Sequence, residues 1–280
     1  GIISHITIYK GDSMRHSYIR SGSMPLTHTQ LVNAIPSAYA NAPWSGVSAK
    51  YSFLSTAEVI HGLEAEGVGC FSAKQSGTRR EGMEGHTKHS LRFRAIGALY
   101  NQPILGEVFP EVLLTNSGNR SSSFIVEMGL YRLACSNGLV VSIGSLSAYR
   151  VRHVSATIDD VLQAVKGIVA QFPQISETVE KLKAKQLTFE ERQRYADLAL
   201  GLRYDADKVP FHSSRLLETR RDLDRENKGN LWGVFNTVQE NLTQGQQRRT
   251  HFEHTSRAVR GLDVDLSLNR GLWQLTQSFI

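Results

Sequence analysis

Up to about residue 155 the hydrophobic positions fall in short runs that alternate with polar ones and are broken by Gly, Ser and Asn clusters. Beyond that point they recur every three to four residues. A period of two marks a strand with one buried face, and a period near 3.6 marks an amphipathic helix. In the first part, "PLTHTQLVNAIPSAY" sets Leu26, Leu31, Val32 and Ile35 at helical spacing, with Thr27 as a cap. "KYSFLST" predicts a strand. "STAEVIHGLEAEG" predicts a helix with Val59, Ile60 and Leu63 turned inward and Gly67 as its stop. "VGCFSAKQS" is strand-like, and the Gly-rich, charged "RREGMEGHT" is a connection. "KHSLRFRAIG", "PEVLLTNSG", "SSFIVEMGLYRLACSNGLVVS" and "SAYRVRHVS" are dense in β-branched and aromatic residues between turn signals, which predicts further strands.

In the second part, Thr157 is a candidate N-cap of the amphipathic "IDDVLQAVKGIVAQF", and Pro173 restarts the chain into "QISETVEKLKAKQ". Thr188 and Glu191 form a capping-box pattern at the head of "LTFEERQRYADLALGLR". Leu231, Trp232, Phe235, Val238 and Leu242 share one helical stripe, and "DLSLNRGLWQLTQSFI" supplies a last helix. The expected fold class is α+β, with an antiparallel, β-rich N-terminal half followed by a mostly helical C-terminal half. Residues 1–24 read as an N-terminal arm and 25–155 as a β-rich domain with one or two helices. Residues 156–280 read as a helical region able to share one core with it.

Composition narrows the class. Hydrophobic residues make up 40% and charged residues 21%, which excludes a disordered chain. No apolar run is long enough to span a bilayer, and "GIISHITIYK" lacks the pattern of a secretory signal. The expected location is therefore cytoplasmic, without membrane contact. Cys70 and Cys135 have no CxxC or CxxH spacing and sit in apolar runs, as buried reduced thiols do. Lys plus Arg exceeds Asp plus Glu by 32 against 26, so distribution matters more than the average.

That distribution is uneven. In "GHTKHSLRFRA", residues 85–95, strand alternation puts His89, Leu91, Phe93 and Ala95 on one face and Lys88, Ser90, Arg92 and Arg94 on the other. Cations at every second position lie about 7 Å apart, close to the spacing of phosphates along one nucleic-acid strand. The same pattern suits the solvated face of an edge strand. His86 and His89 are three apart, so a strand would turn them to opposite sides. With His251 and His254, and no cysteine partner, they give no expected metal site. The chain lacks GxSxG, GxxxxGK[ST] and GxGxxG motifs, so neither a cofactor nor a catalytic residue is assigned. Asp263 and Asp265 suit the first turn of the last helix.

A second cationic cluster, "GQQRRTHFEHTSRAVRG", combines Arg248, Arg249, Arg257 and Arg260 with Phe252. Guanidinium groups on phosphates and a ring under a base are the chemistry of single-strand binding. A solvated connector has the same composition. Asn116, in the turn "TNSGNRSSS", could offer an anion its neighbouring backbone N–H groups, and Tyr131 is a second stacking candidate.

The ordered blocks "YSFLSTAEVIHGLEAEG", "HTKHSLRFR", "PEVLLTNSGNRSSSF", "GLYRLACSNGLVV" and "RAVRGLDVDLSLNRGLW" resemble the phage/plasmid-related family containing domain of unknown function 932, over about residues 25–275. That family has Asn-Ser-His-Asp-Gly where this chain has Asn116, Ser117, Gly118, Asn119 and Arg120. No role of its histidine or aspartate carries over. The resemblance implies a mobile-element context, in which proteins that bind, anneal or protect single-stranded DNA are common. The expected function is therefore a non-enzymatic binder of single-stranded DNA, able to oligomerise. Lys88, Arg92, Arg94, Arg248, Arg249, Arg257 and Arg260 would hold phosphates, with Phe252 or Tyr131 for stacking. Two alternatives stay open: a nuclease-like enzyme using His86 or His89, and a protein that blocks a host factor by surface contact.

Overall fold

Alternating hydrophobic positions become strands and periodic ones become helices, in nearly the predicted order. The computed structural model describes residues 6–10, 16–22, 24–45, 53–96, 108–118, 124–132, 137–141, 148–151, 157–246 and 254–280. In chain order the elements are β1 (Ile6–Lys10), β2 (His16–Ser21), α1 (His28–Ala34), α2 (Thr56–Ala65), β3 (Val68–Ser76), β4 (His89–Ala95), β5 (Val108–Asn116), β6 (Phe124–Arg132), β7 (Asn137–Val141) and β8 (Tyr149–Val151). The helices α3 (Ile158–Val169), α4 (Pro173–Ala184), α5 (Phe189–Gly201), α6 (Asp222–Glu226), α7 (Leu231–Gln244) and α8 (Leu262–Gln277) follow. The class is α+β. The chain divides into two compact units, Gly1–Tyr131 with Ser142–Phe172 and Arg132–Val141 with Pro173–Ile280.

In the first unit the sheet runs β1-β2-β3-β4-β5-β6, and β8 pairs with β6. Residues 6–10 and 16–21, expected as part of an arm, are its first two strands. Register builds a continuous apolar row, Ile19–Ala73–Leu91–Leu114, with Cys70, Phe93 and Val112 on the same side. Leu91 and Phe93 are wholly buried. Helix α1 packs on β2 and β3, α2 on β3, and α3 on α2 and β5. Val59, Ile60 and Leu63 of α2 and Val161, Val165 and Ile168 of α3 are buried, at the spacings read from the sequence. Truncating Phe93 to Ala would cost about 3–5 kcal/mol.

Thr27 caps α1, and Thr157 caps α3, each in a reciprocal capping box. Gly67 takes φ 76° after α2, the left-handed position that suits glycine. The expected strand "KYSFLST" is not one in its described part: residues 53–55 form an extended lead-in to α2. Leu54 is buried there, so an apolar run that enters a core without pairing looked locally like a strand. Cys70 is buried and free, and burial pushes its thiol up to about 12. Cys135 lies outside the described residues.

In the second unit α7 is the central helix, packed by α4, α5, α6 and α8 and buried from Leu231 to Thr243. Trp232, Phe235 and Trp273 form an aromatic cluster, with centroids 5.8 and 5.6 Å apart. The expected capping box of Thr188 and Glu191 opens α5. Arg132 and Asp224, both buried, pair at 2.6 Å. No helix among the described residues is long and apolar enough to cross a membrane.

Candidate functional site

Strand β4 divides two chemistries between its faces, as its alternation predicts. On the face opposite the apolar row, register aligns Arg20–Ser72–Arg92–Leu113 and Tyr18–Lys74–Ser90–Thr115 across β2 to β5. Arg92 Nη1 donates to Glu111 Oε2 at 3.0 Å, and Arg94 Nε donates to Glu111 Oε1 at 2.8 Å. Glu111 is completely buried. Burial pushes its carboxyl up, but Arg94, Arg92 and Arg20 outweigh that and hold it below the usual carboxylate range. Arg94 also donates to the Gly22 carbonyl at 3.2 Å.

These guanidinium groups lie among rings. Arg94 sits 4.0 Å from the Tyr131 centroid, 4.5 Å from Phe71 and 5.2 Å from Phe109. Arg20 lies 5.2 Å from Tyr18 and 5.4 Å from Tyr131. Arg20 Nε and Arg94 Nη2 are buried donors without a hydrogen-bond acceptor. The expectation of an open cationic ridge is therefore corrected: Arg94 is only 4% exposed, and both arginines turn toward Glu111. The carboxylate lies on the neighbouring strand, where one strand's alternation cannot reveal it. Tyr18, Arg20, Lys74, Lys88 and Arg92 are half-buried.

At the end of the apolar face, register aligns Ser17–Gln75–His89–Asn116, and a buried polar network forms. Ser37 Oγ donates to Gln75 Oε1 at 2.7 Å, which uses its only proton. His89 Nδ1, 2.9 Å from Ser37 Oγ and 3.1 Å from the Thr87 carbonyl, must then be the donor. His89 Nε2 accepts from Thr56 Oγ1 at 2.8 Å, and Thr56 accepts from Asn116 Nδ2 at 2.9 Å. The bonds run one way, from Asn116 through Thr56 and His89 to Ser37 and Gln75. Burial pushes His89 down to about 4 despite the Thr87 carbonyl, so the ring is neutral. With both nitrogens engaged and 1% exposure, His89 serves as a structural hub.

His86, in a 3-10 turn from Glu84 to His86, packs on Trp44 with centroids 5.7 Å apart, and burial lowers its pKa. Arg80 lies over the same indole at 5.4 Å. His86 Nδ1, Thr87 Oγ1 and Asn116 Oδ1 are buried without a hydrogen-bond partner.

Arg257 and Arg260 belong to the second unit and are exposed. Their segment is held on the end of α7: Val259 N donates to the Thr243 carbonyl at 2.7 Å, and Ser256 N donates to Gln246 Oε1 at 2.9 Å. Arg248, Arg249, His251 and Phe252 lie outside the described residues. A cleft of about 390 Å³ in this unit is lined by Leu200, Tyr204, Val209 and Phe211. Its polar groups Ser213 and Asp197 are tied to each other and to Gln193.

Sequence reasoning missed Glu111, Arg20 and Tyr18 on one face and Ser37, Thr56 and Gln75 on the other. A lone acid inside the apolar strand "PEVLL" was the one local signal.

The fold and these two faces define an α+β protein whose sheet buries a histidine hub on one side and gathers arginines and tyrosines on the other. The chain belongs to the family described as Domain of unknown function (DUF932), whose model matches residues 43–273. Two relatives from Escherichia coli (strain K12) are similar along nearly their full length. The UPF0380 protein YafZ is 32% identical over 260 residues, covering 91% of this chain and 92% of the relative. The UPF0380 protein YfjQ is 32% identical over 263 residues, with the same coverage. No solved structure matches.

Proposed function

We propose that the protein is a non-enzymatic, cytoplasmic nucleic-acid-binding protein of a mobile genetic element, holding single-stranded DNA against the cationic, aromatic face of its sheet. The observation that carries this reading is the clustering of cationic and aromatic side chains on one face of the sheet. Arg20, Arg92 and Arg94 gather on this face with the rings of Tyr18, Phe109 and Tyr131. Half-buried Arg20 and Lys74 suit a phosphate chain, and half-buried Tyr18 offers a ring on which a base stacks. The resemblance to a family carried on plasmids and prophages agrees with this. A second copy of the chain would lengthen the track.

The test spares the Glu111 ion pairs. Arg20 and Lys74 share the cationic face, and Arg20→Gln with Lys74→Gln leaves the bonds from Arg92 and Arg94 to Glu111 in place. Anisotropy titration of labelled oligo-dT over a range of salt should show weaker binding. The log–log salt slope should be flatter by about 1.4, at about 0.7 per single-strand phosphate contact. Unchanged affinity and slope would sink the reading, and degradation of the strand in the same titration would replace it with the enzymatic one.

A further inference from the structure

Away from both faces of the sheet, the fold brings together three side chains that are distant or unremarkable in the sequence. His28 opens α1, and His61 and Glu64 stand one turn apart on α2. His28 Nε2 is 2.8 Å from Glu64 Oε2, and His61 Nδ1 is 3.7 Å from the same oxygen. All three ligand atoms lie within 4.8 Å of one another. The imidazoles stack with centroids 4.4 Å apart and planes 28° apart, so their edges run side by side.

We propose that His28, His61 and Glu64 form a binding site for a divalent transition-metal ion, with zinc the natural probe. Two imidazole nitrogens, which are borderline donors, together with one hard carboxylate oxygen suit zinc, cobalt and nickel better than magnesium or calcium. Bonds of about 2.0–2.2 Å to a tetrahedral ion place ligand atoms roughly 3.3–3.5 Å apart. The distances here, 2.8 and 3.7 Å, straddle that spacing, so closure needs only side-chain rotation. His61 is exposed and the other two are partly so, which leaves an entry path and a coordination position for water.

A fourth group completes the arrangement. The far nitrogen of His28, Nδ1, is 2.8 Å from the Tyr39 hydroxyl. A ligating histidine is normally oriented by a partner on its other nitrogen. Without metal, His28 Nε2–H donates to Glu64 and Nδ1 accepts from Tyr39. With metal, Nε2 gives its lone pair to the ion and Nδ1–H donates to the tyrosine oxygen. A hydroxyl can serve either direction, so it accommodates both tautomers without moving. Binding also cross-links α1 to α2.

The test uses the full chain without an affinity tag, titrated with zinc chloride against a chromophoric chelator and, separately, with cobalt chloride in the visible range. One equivalent of zinc should bind at micromolar or tighter affinity, and cobalt should give the intense absorption of a four-coordinate site. His28→Ala, His61→Ala and Glu64→Gln should each weaken zinc by at least about 10-fold. Tyr39→Phe should weaken it by about 10-fold or more. His61 is exposed, so its variant folds whatever happens to the others. Zinc should raise the thermal midpoint of the wild type but not of His61→Ala. Absence of binding to the wild type, or binding that persists undiminished in His61→Ala and Glu64→Gln, would overturn the assignment.

Discussion

At the scale of single residues, the informative groups are polar ones that the fold buries. His89 is held neutral because burial outweighs the Thr87 carbonyl, which takes its pKa to about 4 from an ordinary 6.5. Above pH 6.5 neither the folded nor the unfolded chain protonates this ring. Between 6.5 and 4 the unfolded chain takes up a proton that the fold refuses, so stability falls as the pH falls. Below 4 both states carry the proton and no further loss follows. The difference corresponds to about 3 kcal/mol across the window. Urea midpoints from pH 7 to 4 should therefore drop in the wild type, and the drop should be shallower by about one proton in His89→Gln. Parallel profiles for the two proteins would contradict the buried neutral hub. The strand spacing alone shows that His89 shares a face with Leu91 and Phe93. It does not show Ser37, Thr56 or Gln75, because their approach depends on register and on helix placement. For the same reason Arg92 and Arg94 could be assigned to one face, but not to Glu111.

At the scale of elements, local rules are written most plainly where the structure depends on near neighbours. The capping boxes of Thr27 with Gln30, Thr157 with Asp160 and Thr188 with Glu191 each close within one turn. All three caps sit at residues the pattern alone had marked. Glycines inside helices are less transparent, since their role depends on distant atoms. A Cβ on Gly233, in α7, would lie 2.0 Å from the Asn227 carbonyl oxygen, whereas one on Gly201, at the end of α5, would meet nothing within 4 Å. Ala is the better helix former at both by propensity alone. Gly201→Ala should therefore stabilise by about 0.4–1 kcal/mol. Gly233→Ala should destabilise by several times that, because backbone must move at the start of the central helix. Opposite signs in chemical denaturation are the expected outcome, and stabilisation by both would mean that Asn227 does not approach α7 so closely.

At the scale of the whole molecule, the excess of 32 basic over 26 acidic side chains matters through its location. Replacing Lys88, Arg92 and Arg94 together, the experiment the sequence alone suggests, would strip Glu111 of the two arginines that bond it. Breaking a buried pair from one side costs about 3–5 kcal/mol, so weaker DNA binding would then be inseparable from damage to the fold. Exposed Arg257 and Arg260 offer a cleaner contrast in the second unit, since substitutions of exposed side chains usually change stability by less than about 0.5 kcal/mol. If Arg257 and Arg260 also hold phosphates, as their clustering in the sequence suggests, then Arg257→Gln with Arg260→Gln should flatten the oligo-dT salt slope by about 1.4. Combining that pair with Arg20→Gln and Lys74→Gln should flatten it by about 2.8, because contacts on separate units release counterions independently. The measurement is anisotropy at four or more salt concentrations for the wild type, both double variants and the quadruple variant. A slope set only by the Arg20 and Lys74 pair would confine binding to the sheet face and return residues 254–260 to a connector held on α7. A slope set only by the second unit would leave the three arginines around Glu111 as part of the packing of the sheet.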